Sequence, residues 1–275
     1  MLDDPVLVND WHVVARRDDV PEAGVAEALL LGEDLVVHRH HGAVMARAGG
    51  TVHPAAEAHG LVWVSLGSPH RDPPPYDEWD DPEFRHVLGG PYAIGASAPR
   101  IIENFLDAAH FPFVHEGILG DRDHPEMGDY RVETGPEGIT ARDINTWTPN
   151  PDGSGEAKMA QWLYRVLRPL TAYIGLSVPG GGRERYTMYF AVTPVDERNS
   201  VGWMWNSMNY NHDMPDEDFE AYIDEIVWQD IPIVESQRPE LLPLDLQAEL
   251  HLRSDKTAVA YRRWLTELGL TFGTS

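Results

Sequence analysis

Two histidines and a carboxylate stand close together in the run Asn104-Phe-Leu-Asp-Ala-Ala-His-Phe-Pro-Phe-Val-His115. His110 and His115 offer imidazole nitrogens, which suit iron, zinc, copper and nickel, and two histidines plus one carboxylate with open positions is the usual frame for non-haem iron(II) oxygen chemistry. The plainer alternative is a pair of core or capping histidines beside an apolar helix. A second carboxylate bears on the choice. Between residues 215 and 237, Phe219, Tyr222, Ile223, Ile226, Val227, Ile233 and Val234 mark an apolar stripe at helical spacing. Asp230 falls on that stripe, where the period asks for a hydrophobe. A buried carboxylate must be paired or must hold a metal, so its partner is either a buried Arg or Tyr or the ion that the histidines bind.

The elements around these residues must bring them together. Residues 100–119 read as helix at first, with Asn104, Asp107 and His110 drifting only about 60° per step around one side. His110 and His115 are five apart, about 140° around an ideal helix, and could not both aim at one ion from a regular helix. Pro112 breaks the pattern, so the chain is expected to leave regular helix there and let His115 swing back. Residues 129–211 are strand-rich, with strands over 130–133, 139–147, 158–167, 171–177, 184–193 and 201–210 separated by Gly- and Pro-rich turns, which implies an antiparallel meander. Helices are expected over 215–237, kinked at Pro232, and over 245–268, the latter packing through Leu246, Leu250, Val259, Tyr261, Trp264 and Leu268. Short strands with Gly-rich turns fill residues 5–67: Val6–Val8, Trp11–Ala15, Ala26–Leu31, Asp34–His38, Ala43–Ala46 and Leu61–Leu66. The histidines His38, His40 and His41 crowd a hairpin turn, where solvated imidazoles are the simpler reading; His53 and His59 form a weaker pair. Four prolines within 68–75 favour extended chain. The division is therefore a small β domain over 1–70, a linker over 71–99 and an α+β catalytic domain over 100–275.

Composition excludes several functions. The chain of 275 residues has a formal net charge of −24, against nucleic acid and anionic membrane surfaces as partners. No run of 18 uncharged apolar residues occurs to span a membrane, and the N-terminus lacks the basic and apolar regions of a signal peptide, so a cytoplasmic location is expected. There is no cysteine at all. Disulfides, thiolate nucleophiles and Cys-ligated zinc are out, and so is an iron–sulfur cluster held by this chain, because even the mixed His–Cys centre needs two Cys. Leu176-Ser-Val-Pro-Gly-Gly-Gly-Arg lacks the Gly-Lys-Ser/Thr of a phosphate loop.

The run from Asn104 to His115 resembles the iron motif of the Rieske non-haem iron aromatic-ring oxygenases, in the branch similar to vanillate O-demethylase. Gln229-Asp-Ile-Pro-Ile-Val-Glu-Ser-Gln resembles the segment that carries the third iron ligand, and Val8-Asn-Asp-Trp-His-Val-Val-Ala and Gly60-Leu-Val-Trp-Val-Ser-Leu-Gly resemble the first and last strands of the family's Rieske domain. The resemblance implies that His110, His115 and Asp230 bind Fe(II), that Asp107 is the bridge through which an electron arrives from a neighbouring subunit, and that Asn104 lies beside the iron. It implies a helix-grip (START/Bet v 1-like) catalytic domain, with the 215–237 helix across the sheet, beside a truncated Rieske-like β domain. Family members carry Cys-x-His and Cys-x-x-His loops that this chain lacks. Some members rely on a cluster supplied by a partner protein.

Three functions follow from this reading. The first is an oxygenase component that uses mononuclear Fe(II) and O₂ to hydroxylate or O-/N-demethylate an aromatic or heteroaromatic small molecule, with electrons from a separate Rieske or ferredoxin-type protein. A homotrimer or a hetero-oligomer with a cluster-bearing paralogue would be its assembly. The second is a redox-neutral metal enzyme; the third is a non-catalytic partner subunit on the same scaffold. The aromatic residues Trp147, Trp162, Tyr189, Trp203 and Trp205, with Met208, are candidates to line a flat apolar pocket.

Overall fold

The structure, a computed structural model, describes residues 4–275; residues 1–3, the start of the stretch read above for a leader, lie outside it. The chain opens with a helical turn, α1 (Pro5–Val8), where a strand was expected. Asp4 explains the difference, because its side chain caps the Val6 and Leu7 amides and Pro5 suits the first helical position. Seven short strands follow: β1 (His12–Arg16), β2 (Ala26–Leu30), β3 (Glu33–His40), β4 (Ala43–Ala48), β5 (Thr51–His53), β6 (Ala55–Ala58) and β7 (Leu61–Val64). They form a four-stranded sheet in the order β2-β3-β4-β5 and a three-stranded one, β1-β7-β6. Left-handed pairs turn the hairpins at Leu31-Gly32, His41-Gly42 and His59-Gly60, as two-residue type I′ turns require. His41 and His59 are thus turn residues.

The stretch expected as a linker is only partly one. Residues 85–94 form a ten-residue strand, β8 (Arg85–Ile94), at the edge of a seven-stranded sheet. The prolines before it masked its alternation. After α2 (Ala98–Phe105) and α3 (Phe111–Val114) come β9 (Arg131–Gly135), β10 (Gly138–Thr148), β11 (Lys158–Arg168), β12 (Thr171–Ser177), β13 (Tyr186–Pro194) and β14 (Ser200–Met208). Their order, β8-β14-β13-β12-β11-β10-β9, is the expected meander with β8 added beside β14. All neighbours are antiparallel.

Both faces of this sheet are covered, so every residue of β13 is buried. Tyr186, Met188, Phe190 and Val192 belong to the core on one face, whereas Tyr189 and Ala191 belong to a second aromatic core with Trp11, Trp63, Tyr76 and Trp203, as the two-residue period dictates. The small sheets lie on this second face. The Thr193 hydroxyl donates to the Val13 carbonyl, and the Leu31 amide donates to the Pro194 carbonyl at 2.7 Å.

Helix α4 (Asp216–Ser236) matches its expected span and packs mainly against β8. Three acidic residues occupy its first turn, next to the positive end of the helix dipole. It runs on through Pro232, whose missing N–H leaves the Trp228 carbonyl without its helical donor. Helix α5 (Lys256–Leu268) is shorter than expected. Residues 245–252 are not helical, and Leu250 is 88% exposed rather than a packing residue. Tyr261 and Trp264 are buried, as their spacing suggested. Among the described residues no helix is long and apolar enough to cross a membrane.

Candidate metal centre

The two histidines meet because the chain leaves helix before His110 and makes only one short helical turn between them, so the break is not where the proline indicated. Helix α2 ends at Phe105. Asp107 then turns the chain, its Oδ1 accepting the Ala109 amide at 2.8 Å, a local bond that competes with helix. His110 is the N-cap residue and His115 the C-cap residue of the four-residue α3. Pro112 therefore opens this helical turn rather than breaking one, as its missing N–H permits. One short turn flanked by its two caps puts the imidazoles on the same side, with ring centroids 5.0 Å apart.

Helix α4 delivers Asp230 to the same point. His110 Nε2 and His115 Nε2 are 3.1 Å apart, and Asp230 Oδ1 lies 3.4 Å from the first and 3.2 Å from the second. Among the described residues this is the one group of three His, Asp or Glu donors whose atoms converge within 4.8 Å. His115 is buried, and Asp230 keeps 23% of its side chain exposed. Asp230 is thus less buried than its place on the apolar stripe suggested, but its Oδ1 atom is buried and accepts no hydrogen bond. Among the described residues it has no Arg or Lys partner and pairs only with the two histidines.

The donor set fits a divalent metal ion. Ligands at about 2.1 Å from one ion, subtending about 90–110°, lie about 3.0–3.4 Å apart, the spacing seen here. The remaining ring nitrogen of His115, Nδ1, is 2.8 Å from Gln229 Oε1. Donating there keeps the proton on Nδ1 and leaves the Nε2 lone pair free, the usual arrangement around a metal-bound imidazole. Nδ1 of His110 is 3.5 Å from Asp107 Oδ2, too long for a good hydrogen bond. Burial works against a charge on His110, yet the carboxylates of Asp107 and Asp230 outweigh it and raise its pKa above the ordinary value. Positive charge is favoured at this point, whether a proton or a cation carries it.

Asp107 also faces outward. With Asn104, from the last turn of α2, it lines a polar cavity of about 200 Å³. Asn104 makes no side-chain hydrogen bond to the three converging donors among the described residues; it belongs to this cavity. The far wall is a charge-balanced quartet that the sequence did not reveal. Arg262 donates to Glu103 Oε2 at 2.8 Å and to Glu249 Oε2 at 2.5 Å, and Arg100 donates to Glu249 Oε1 at 2.7 Å. It ties α2 to α5 directly behind Asp107.

A second cavity, about 320 Å³, lies between the sheet and the N-terminal half of α4. Leu119 forms its near wall, and the amides of Ile118 and Leu119 both donate to the His115 carbonyl at 3.0 Å. Of the residues expected in an aromatic pocket, only Met208 lines it. Trp162 instead packs on Phe111, between the two histidines in sequence, at 5.2 Å. Trp147 lies tilted against His124, ring centroids 5.2 Å apart, and Tyr189, Trp203 and Trp205 pack on the opposite face of the sheet. Strand parity was the signal that would have separated them: Tyr186 and Met208 share the helix-facing side with Phe219 and Tyr222 of α4. Among the described residues the other histidines are not gathered into a donor group. His53 Nδ1 is 3.1 Å from the Leu66 carbonyl, His59 Nε2 is 3.0 Å from the Pro74 carbonyl, and His40 and His41 are exposed.

Residues 94–271 match the family described as the vanillate O-demethylase oxygenase C-terminal domain. Over 275 aligned residues the chain is 33% identical to the probable methylxanthine N7-demethylase NdmC of Pseudomonas sp. (strain TJI-51), covering 98% of this chain and 97% of the relative. It is 26% identical to the vanillate O-demethylase oxygenase subunit of Pseudomonas sp. (strain ATCC 19151), covering 94% and 91%. The solved structure of Pseudomonas putida CBB5 NdmA with caffeine superposes with a TM-score of 0.80 at 22% identity, covering 95% of this chain and 91% of that one, a likeness of fold.

Proposed function

This chain belongs to the vanillate O-demethylase oxygenase family, and from that premise we propose that it is the oxygenase component of a demethylase or hydroxylase acting on an aromatic or heteroaromatic small molecule. The observation that carries the reading is the convergence of His110 Nε2, His115 Nε2 and Asp230 Oδ1 within 3.1–3.4 Å. These three residues would hold Fe(II), which when bound supplies O₂ activation at its open coordination positions. Gln229 fixes the His115 tautomer for that role. The cavity beyond Leu119 would receive the ring of the substrate. One oxygen atom enters a C–H bond; two electrons and two protons take the other to water. Where the carbon is an O- or N-methyl, the hydroxymethyl product breaks down to formaldehyde.

The electrons come from outside. The chain has no cysteine and so holds no iron–sulfur cluster. Residues 1–70 are in this reading a Rieske-like β domain without its cluster, and 100–275 a helix-grip catalytic domain. Asp107, part-exposed and 3.5 Å from His110, is the bridge to a Rieske or ferredoxin-type donor. The relatives' names support a divided system, since they include an "oxygenase subunit" and a "monooxygenase system iron-sulfur subunit". A homotrimer, or an assembly with a cluster-bearing paralogue, would bring such a cluster to Asp107.

Turnover tests the proposal. The Fe(II)-loaded protein is incubated with O₂, reductant, candidate donor proteins and a panel of O- and N-methylated aromatics, and products and formaldehyde are measured. Formaldehyde equal to demethylated product, dependent on both O₂ and donor, is expected, with partial replacement of the donor by peroxide. Conversion under nitrogen, with no oxidised product from donor or peroxide, would instead make this a redox-neutral metal enzyme.

A further inference from the structure

Strand parity turns one face of the sheet β2-β3-β4-β5 toward the protein and the other toward solvent. Leu30, Leu35, Val37, Ala46 and Ala48 point inward and are buried. The outward face of such a sheet should be polar, yet Leu29, Val36 and Val52 on it are 39%, 37% and 51% exposed, and Val25, just before β2, is 56% exposed. Met45 shares the face. Large apolar side chains gathered on one exposed surface, unlike scattered ones, mark a contact site. The register arranges this face in rows. Glu27 pairs with Val36, Val36 with Arg47 and Arg47 with Val52, so the central row reads Glu27-Val36-Arg47-Val52 across the four strands. One flanking row holds His38 and Met45, with Val25 at its end; the other holds Leu29 and Asp34, with Gly49 at its end. Neighbouring strands are about 4.8 Å apart, so Glu27 and Arg47 stand at equal distances from Val36, on opposite sides of it. Both are exposed, and neither forms an ion pair among the described residues.

We propose that two copies of the chain associate through this face, sheet on sheet, about a two-fold axis that runs along β3. Such an axis turns each row onto itself and exchanges β2 with β4. Val36 then meets the partner's Val36, each Glu27 meets the partner's Arg47, and Val25 meets the partner's Met45. Leu29 lies over the partner's Gly49, where a side chain would meet nothing within 4 Å. On the axis His38 and Asp34 meet their own copies, and the Asp34 pair is the like-charge contact. An acid and a base placed symmetrically about an apolar centre are self-complementary, which singles out a second copy as the occupant. The formal net charge of −24 repels a second copy over the surface as a whole. This face, with one arginine against two carboxylates, carries little of that charge. Four strands of about five residues each would bury roughly 1,000 Å² in total, the low end for a specific interface, so the dimer is a weak one. It uses no residue of the cavity beside Asp107 and leaves that surface free for a donor.

The test is the mass of the protein in solution, followed by analytical ultracentrifugation from micromolar to near-millimolar concentration at about 0.15 M salt, where screening confines charge effects to about 8 Å. The 30.8 kDa chain should pass reversibly to twice that mass, with a Kd in the micromolar range. Glu27→Arg sets two cations against each other across the interface, and Arg47→Glu sets two anions. Each alone should weaken the dimer at least 10-fold with an unchanged melting temperature. An equimolar mixture of the two variants should dimerise about as well as the unmodified protein, because every pair across the axis is then opposite in charge. Asp34→Asn, which removes the like-charge contact, should tighten the dimer about 2- to 5-fold. A monomer at all concentrations overturns the inference. So does an oligomer of any size that neither charge variant shifts, or a mixture of the two that stays as monomeric as each alone.

Discussion

Replacing Gln229 with Leu isolates one interaction that the site depends on. His115 is buried, and its Nδ1–H has a single acceptor, Gln229 Oε1, at 2.8 Å. A metal on Nε2 requires the proton on Nδ1. In Gln229→Leu that proton faces a hydrocarbon, and a buried unpaired donor costs about 1–3 kcal/mol. The metal-free variant escapes this cost by moving the proton to Nε2, which then donates to Asp230 Oδ1, 3.2 Å away. The substitution thus penalises the loaded state and spares the empty one. The expected result is a loss of about 10- to 100-fold in metal affinity, or about 1.4–2.7 kcal/mol, with a near-native melting temperature for the metal-free protein. Gln229→Glu keeps an acceptor at the same place and should bind at least as well as the unmodified protein. Anaerobic competition for Fe(II) against a chromogenic chelator measures all three. Unchanged affinity in Gln229→Leu, or an equal loss in Gln229→Glu, would refute the argument that the Nδ1 proton is what matters.

Asp107→Asn keeps the acceptor for the Ala109 amide and removes the charge beside His110; it should retain iron within a few-fold by metal analysis but lose most donor-supported turnover, while peroxide-supported product persists. Asp4 is buried and accepts from the Val6, Leu7, Thr271 and Phe272 amides. Burial raises its pKa, but those bonds outweigh it and the net shift is downward. A depressed folded-state pKa contributes stability that is full above the unfolded value, near 3.9, and is lost as pH falls through the folded one. Asp4→Ala should therefore cost about 2–4 kcal/mol in urea unfolding at pH 7, and the gap from the unmodified protein should narrow as the pH is lowered toward 3.

The amino-acid sequence determined by itself which residues could do chemistry here and which chemistry was closed. The absence of cysteine excludes a resident cluster in any fold. The apolar stripe of α4 located both that helix and the misplaced carboxylate at Asp230, because a 3.6-residue period is a property of the chain alone. The alternating strands of the meander were legible for the same reason. What the tertiary structure decided was mutual position. Two histidines 140° apart on an ideal helix became neighbours because Asp107 turned the chain and the pair capped one short helical turn, a geometry that Pro112 misreported. Strand β8 was hidden because it completes a sheet whose other strands come more than 35 residues later. Gln229 acquired its role only when α4 was laid beside α3. The aromatic candidates divided between the two faces of one sheet according to what covered each face, a decision made by packing between elements distant in the chain.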